Sequence, residues 1–61
     1  MKPEVKRPTD PHGIGGLVRA ARKALEDAGQ QIESREMARR CFNAKKRDEV
    51  IKIVEEYVTL V

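Results

Sequence analysis

The stretch Arg47-Asp48-Glu49-Val50-Ile51-Lys52-Ile53-Val54-Glu55-Glu56-Tyr57-Val58-Thr59-Leu60-Val61 decides how this chain folds. At about 100° per residue, Val50, Ile51, Ile53, Val54, Tyr57, Val58, Leu60 and Val61 fall on one continuous arc of roughly 180°. Asp48, Glu49, Lys52, Glu55, Glu56 and Thr59 fill the opposite arc. A strand would alternate apolar and polar side chains, and the pairs Val50-Ile51 and Ile53-Val54 do not. The β-branched content after Tyr57 leaves the last turn open to fraying or extension. The segment predicts a helix over approximately 47–60.

Moving outward, Asp48 and Glu49 occupy the first turn of this helix, where its dipole favours carboxylates. The basic turn Lys45-Lys46-Arg47 precedes it. Asn43 either closes the helix before that turn or caps the one after it. A second, shorter helix is expected over 34–43. Ser34 is placed to cap it, Glu36 sits in its first turn, and Met37, Ala38, Cys41 and Phe42 form its apolar face. Gln30 to Glu33 make a connector, with Ile32 available to pack beneath. Before that, Ile14, Leu17, Val18, Ala21, Leu25 and Ala28 recur at helical spacing over 14–28, with Arg19, Arg22, Lys23, Glu26 and Asp27 on the other side. Gly29 stands where a left-handed residue would end this first helix. The fold class is therefore all-α, a single three-helix domain over residues 14–61.

Residues 1–13 read as a flexible tail or linker. They hold all three prolines, Pro3, Pro8 and Pro11, and only Met1 and Val5 are apolar, so burial is not expected to anchor them. Pro8-Thr9-Asp10-Pro11 has the bare spacing of a polyproline ligand but lacks the flanking basic residue at the usual offset, which favours a plain linker.

At 61 residues the chain has room for one domain and none for an enclosed active-site cavity. A domain this small buries only about 60% of the surface of its unfolded chain, and its core supplies no more than ~3–5 kcal/mol. Enzyme catalysis is not expected. His12 lies in the tail, Cys41 reads as a small core residue beside Phe42, and adjacent Glu55 and Glu56 do not converge on a helix. One cysteine and one histidine make neither a disulfide nor a zinc cage, so no metal and no cofactor are expected. No apolar run reaches the ~18–20 residues of a membrane span, and Met1-Lys2-Pro3-Glu4 does not read as a secretory signal. The expected location is cytoplasmic.

A mismatch in apolar content points to a partner. Of fifteen large apolar residues from Ile14 onward, eight lie in the last segment. The first helix offers a narrow, alanine-rich stripe and the second little more, so the last helix is expected to keep part of its arc uncovered. Each exposed side chain would forgo ~1.5–3 kcal/mol of burial. The function expected is a non-enzymatic interaction module, a homodimer or the binder of a protein partner, working through Val50, Val54, Tyr57, Val58 and Val61.

A second reading rests on basic and glycine residues. Gly15 and Gly16 lie in the first turn of the first helix, with Arg19, Arg22 and Lys23 one to two turns on. That arrangement suits a phosphate, as in a nucleotide or nucleic acid, although no strand precedes it and no phosphate-loop Gly-Lys-Ser/Thr is present. Arg39, Arg40, Lys45, Lys46 and Arg47 form a further basic cluster. The net charge is only +3, and the acidic outer face of the last helix would repel a DNA backbone. Pairing of the basic cluster with the acidic face of a second copy is the alternative use of those charges.

Overall fold

The computed structural model describes residues 2–7 and 13–61; Met1, the Pro8-Thr9-Asp10-Pro11 motif and His12 lie outside the described residues. Three helices, α1 (Ile14–Asp27), α2 (Gln31–Asn43) and α3 (Arg47–Tyr57), make the body of the domain. Two short strands, β1 (Glu4–Val5) and β2 (Thr59–Leu60), pair in parallel, Glu4 beside Thr59 and Val5 beside Leu60. No helix of the described residues is long and apolar enough to cross a membrane.

α1 buries Leu17, Ala21 and Leu25, one residue per turn. Its end is set by backbone hydrogen bonds: the Gly29 N–H donates to the Glu26 carbonyl (3.0 Å) and the Gln30 N–H to the Leu25 carbonyl (2.7 Å). This pair defines a Schellman turn, which needs a left-handed residue at its pivot. Gly29 supplies it with φ at +79°.

α2 begins at Gln31, three residues before the 34–43 expected from sequence. The physical reason lies with Ser34. Its side chain is buried and its hydroxyl is spent on α1, donating to Glu26 Oε2 (3.1 Å) and accepting from Arg22 Nε (3.3 Å). Ser34 thus pins α2 to α1 from inside its own helix and does not cap it. Gln30 takes the N-cap position, so the Schellman turn runs straight into the next helix.

α3 starts as expected, with Asp48 and Glu49 in its first turn, and Glu49 Oε2 accepts from the Lys45 N–H at 3.4 Å. It ends at Tyr57 and not at residue 60. Val58 is extended (φ −134°, ψ 160°) and leads into β2. Tyr57, Val58, Thr59 and Val61 are all residues that favour extended backbone, and the decisive factor is a partner strand. The Thr59 N–H donates to the Pro3 carbonyl (2.8 Å), the Val61 N–H to the Val5 carbonyl (3.0 Å) and the Arg7 N–H to the Val61 carbonyl (3.0 Å).

That pairing changes the standing of the amino-terminal segment. Residues 2–7, read from composition as part of a tail, lie against the domain, and Val5 is only 7% exposed within the core. The rest of the core is Leu17, Ala21, Leu25, Met37, Val50, Val54 and Val58. Ile51, Ile53, Tyr57 and Leu60 are partly buried against it. The apolar arc of α3 is covered from within the chain, because the small Ala21 allows close approach and β1 adds a wall that helical periodicity does not reveal.

Two measurements check this account. Val5→Ala removes two buried carbons and lowers stability by about 1.5 kcal/mol in denaturant unfolding, whereas an unanchored tail would show no change. A Cβ at Gly15 meets nothing within 4 Å while Gly29 holds a positive φ, so Gly15→Ala raises stability by about 0.5 kcal/mol and Gly29→Ala lowers it by about 1 kcal/mol.

Candidate functional site

The five residues expected to form an association face do not make one free surface. Val50, Val54 and Val58 are 8%, 0% and 1% exposed inside the single chain. Tyr57 is half-buried, and its hydroxyl accepts from Arg40 Nη1 at 3.3 Å. Val61 is exposed, but its backbone is engaged with Val5 and Arg7 in the strand pair. The face inferred from α3 is core, for the packing reason given above.

Exposed apolar surface lies instead on α2. The Phe42 side chain is 89% exposed, and Ile32 is also largely exposed. The geometry follows from where Met37 points. Met37 is fully buried and sets the inner direction of the helix; Cys41 lies about 40° from it and Phe42 about 140° from it. Cys41 therefore half-enters the core, while Phe42, expected on the same apolar face, projects outward. The sequence signal that could have shown this is the angle from Met37, the residue among Met37, Cys41 and Phe42 that faces fully inward.

Phe42 edges a groove of about 380 Å³ between α1 and α2. Ile14, Gly15, Val18 and Arg22 line it from α1, Ala38, Cys41 and Phe42 from α2, and Val50 of α3 forms part of its floor. Ile14 and Val18 are one turn apart, as are Ala38 and Phe42, so the groove runs between two ridges of helical pitch. The lining is aliphatic apart from the Phe42 ring at the lip, Arg22 at the edge and the Cys41 thiol. Burial pushes the Cys41 pKa up, partly offset by the Arg40 charge, so the group stays a protonated thiol near neutral pH and acts as an apolar lining residue.

The basic residues divide into four sets. Arg19, Arg22 and Lys23, with Gly15, Val18 and Glu26, line a depression of about 450 Å³ along α1. This depression shares Gly15, Val18 and Arg22 with the apolar groove, so the two form one continuous surface. Within it Arg22 is committed to Ser34 and to Glu26 Oε2 at 3.8 Å, whereas Arg19 and Lys23 have no ion-pair partner among the described residues. Gly16 is exposed about 100° around α1 from Gly15 and lines neither hollow. Arg39 lies on the outer side of α2 with Ile32, Arg35 and Glu36, around a hollow of about 300 Å³.

Arg40 faces the other way, towards α3. Its Nη1 and Nη2 donate to Glu56 Oε1 and Oε2 at 2.9 and 3.0 Å, and its guanidinium lies 5.8 Å from the Tyr57 ring centroid. The hydrogen bonds from Arg40 hold the Glu56 carboxyl below its usual range, and Glu56 and Tyr57 raise the Arg40 pKa further. Glu55 is likewise paired at the surface: its carboxylate lies 3.9 Å from Arg7, and Lys2 Nζ donates to its backbone carbonyl at 3.1 Å. These carboxylates find cations within their own chain. Lys45, Lys46 and Arg47 stay exposed around the α2–α3 connector beside Asp48 and Glu49. The basic residues expected to act together are thus split, with Arg40 removed from any ligand-facing set.

No protein-family model matches the chain, and no curated protein and no solved structure matches it.

The Arg40–Glu56 pair has a pH signature. A carboxylate whose folded pKa is depressed contributes stability above its unfolded pKa of about 4.3 and loses that contribution as pH falls through the folded value. Glu56→Gln therefore lowers the thermal midpoint near neutral pH, and wild type and variant converge in acid below that range. Melting curves across pH check the sign, and the effect is small because both side chains are about half exposed.

Proposed function

We propose that this chain is a non-enzymatic protein-binding module that takes a partner on the groove between α1 and α2, with Phe42 as its anchor. The observation that carries this reading is a fully presented aromatic side chain on a regular helix, at the lip of an aliphatic groove of about 380 Å³. Phe42 left in water forgoes ~1.5–3 kcal/mol that a partner would recover. Aromatic anchors beside apolar pockets dominate the energetics of many protein interfaces. The interior is already closed around α3, so the surface gain is available without unfolding anything. A cytoplasmic location belongs to the same proposal, since the single unpaired Cys41 suits a reducing compartment.

A second reading, recognition of a phosphate-bearing ligand such as a nucleotide or nucleic acid, draws on Arg19 and Lys23 beside Gly15, which have no ion-pair partner among the described residues. Salt separates the two. Nucleic-acid binding weakens steeply as salt rises because bound counterions are released, while apolar docking does not.

The test uses the full chain in three forms: wild type, Phe42→Ser and, as a control for exposed apolar surface elsewhere, Val61→Ser. Phe42→Ser leaves the melting temperature within a few degrees of wild type, because its side chain makes little of the core. Quantitative co-purification shows the partner retained by wild type and Val61→Ser and reduced at least tenfold by Phe42→Ser. Equal retention by all three proteins overturns the assignment of the groove.

A further inference from the structure

We propose that the occupant of the α1–α2 groove is an acidic amphipathic helix, its apolar ridge seated between Val18 and Phe42 and its carboxylates against the two basic walls. This rests on the groove reading above and adds the chemistry of the partner. The walls carry one sign. On α1, Arg19 and Lys23 rise beside the groove; on α2, Arg35, Arg39 and Phe42 stand at i, i+4 and i+7 and share a face. Among the described residues none of these four cations has an ion-pair partner; the nearest carboxylates in sequence are Glu26, which Arg22 and Ser34 already hold, Asp27 one turn on from Lys23, and Glu36 beyond Arg39.

The shape selects a helix. Two ridges of helical pitch bound the groove, with Gly15 and Ala38 giving low points where a third helix can approach closely. A helix laid in such a groove reads it through apolar residues one turn apart. α1 has 14 residues, about 21 Å at 1.5 Å each, which matches a peptide of about 15 residues.

Charge also argues against a second copy as occupant. A two-fold contact sets the same patch against itself, which would bring Arg19, Lys23, Arg35 and Arg39 of both copies together around one apolar seam. The chain's own acidic surface, on α3, is no substitute: its exposed residues Arg47, Asp48, Glu49, Lys52, Glu55 and Glu56 include no large apolar group to fill the groove. A nucleic acid would match the walls but not the floor, where Ile14, Val18, Ala38 and Cys41 offer phosphates no hydrogen-bond donor side chain other than the thiol.

The experiment screens a displayed library of helical peptides of about 15 residues, the span estimated above, against the full chain, then measures selected peptides by fluorescence anisotropy. Neutral and lysine-substituted versions of each peptide and a single-stranded oligonucleotide run alongside. The expected result is enrichment of net-acidic sequences with apolar residues one turn apart, bound at least tenfold more tightly than their lysine counterparts. Phe42→Ser and, separately, the double variant Arg35→Glu/Arg39→Glu each weaken that binding at least tenfold, with melting curves confirming that both variants fold. If neutral peptides bind as tightly as acidic ones and still require Phe42, the acidic partner is overturned and the groove stands. If acidic peptides bind without needing Phe42, the groove falls as well. Tighter binding of the oligonucleotide, a Phe42-dependent dimer in sedimentation, or no enrichment at all each overturns the proposed occupant.

Discussion

The apolar arc of α3 must be covered on every side, and the remainder of the molecule is arranged to do it. Val50, Val54 and Val58 hold the centre of a core of eight buried apolar residues among those described. In a domain this small each contributes a large share of a net stability of a few kcal/mol. α1 approaches through Ala21, α2 brings Met37, and the amino-terminal strand brings Val5. β1 is there because β2 supplies the hydrogen bonds a single valine could not replace. Removing water from Val5 and pairing Pro3, Val5 and Arg7 with the chain end are therefore one event.

Sealing α3 inward determines what is left for the outside. The helix richest in apolar side chains contributes part of a floor and little surface, so the groove falls between the two helices with the weaker apolar faces. The polar contacts reinforce this division. Ser34 ties α1 to α2 on the inner side of the groove, and Arg40 ties α2 to α3 on the far side. What remains without a partner among the described residues in the stretch between them is Arg19, Lys23, Arg35, Arg39 and Phe42, a cationic rim around an aromatic group. The segregation of charge along the sequence, basic through the middle and acidic in the last segment, thus becomes two sets of uses: internal pairs for Arg40 with Glu56 and Arg7 with Glu55, and an open surface for the others.

The helical body was legible because it rests on local periodicity. The stripes of α1 and α3 and the left-handed residue Gly29 are visible in the order of residues, since each arises from contacts within a few positions. Reading Ser34 as a cap failed for the opposite reason: its partners, Arg22 and Glu26, belong to another helix, and a hydroxyl with a better distant acceptor abandons the local one. The site was less legible than the fold. Of the expected group Gly15, Gly16, Arg19, Arg22 and Lys23, all but Gly16 line one depression. Phe42 reads as part of the apolar face with Met37, Ala38 and Cys41, being one turn from Ala38, although it stands about 140° from the inward-facing Met37.

The order of amino acids by itself determined the number of helices, their approximate extents and the sign of charge along each, because spacing and dipole preferences act over one or two turns. The tertiary structure alone decided that α3 stops at Tyr57, that Val5 belongs to the core, and that the free apolar surface is at Phe42. Those three outcomes depend on pairing or competition between segments as far apart in the chain as Val5 and Leu60. Hydrogen bonds and burial across such a distance leave no trace in the local pattern; they exist only once the chain has closed on itself.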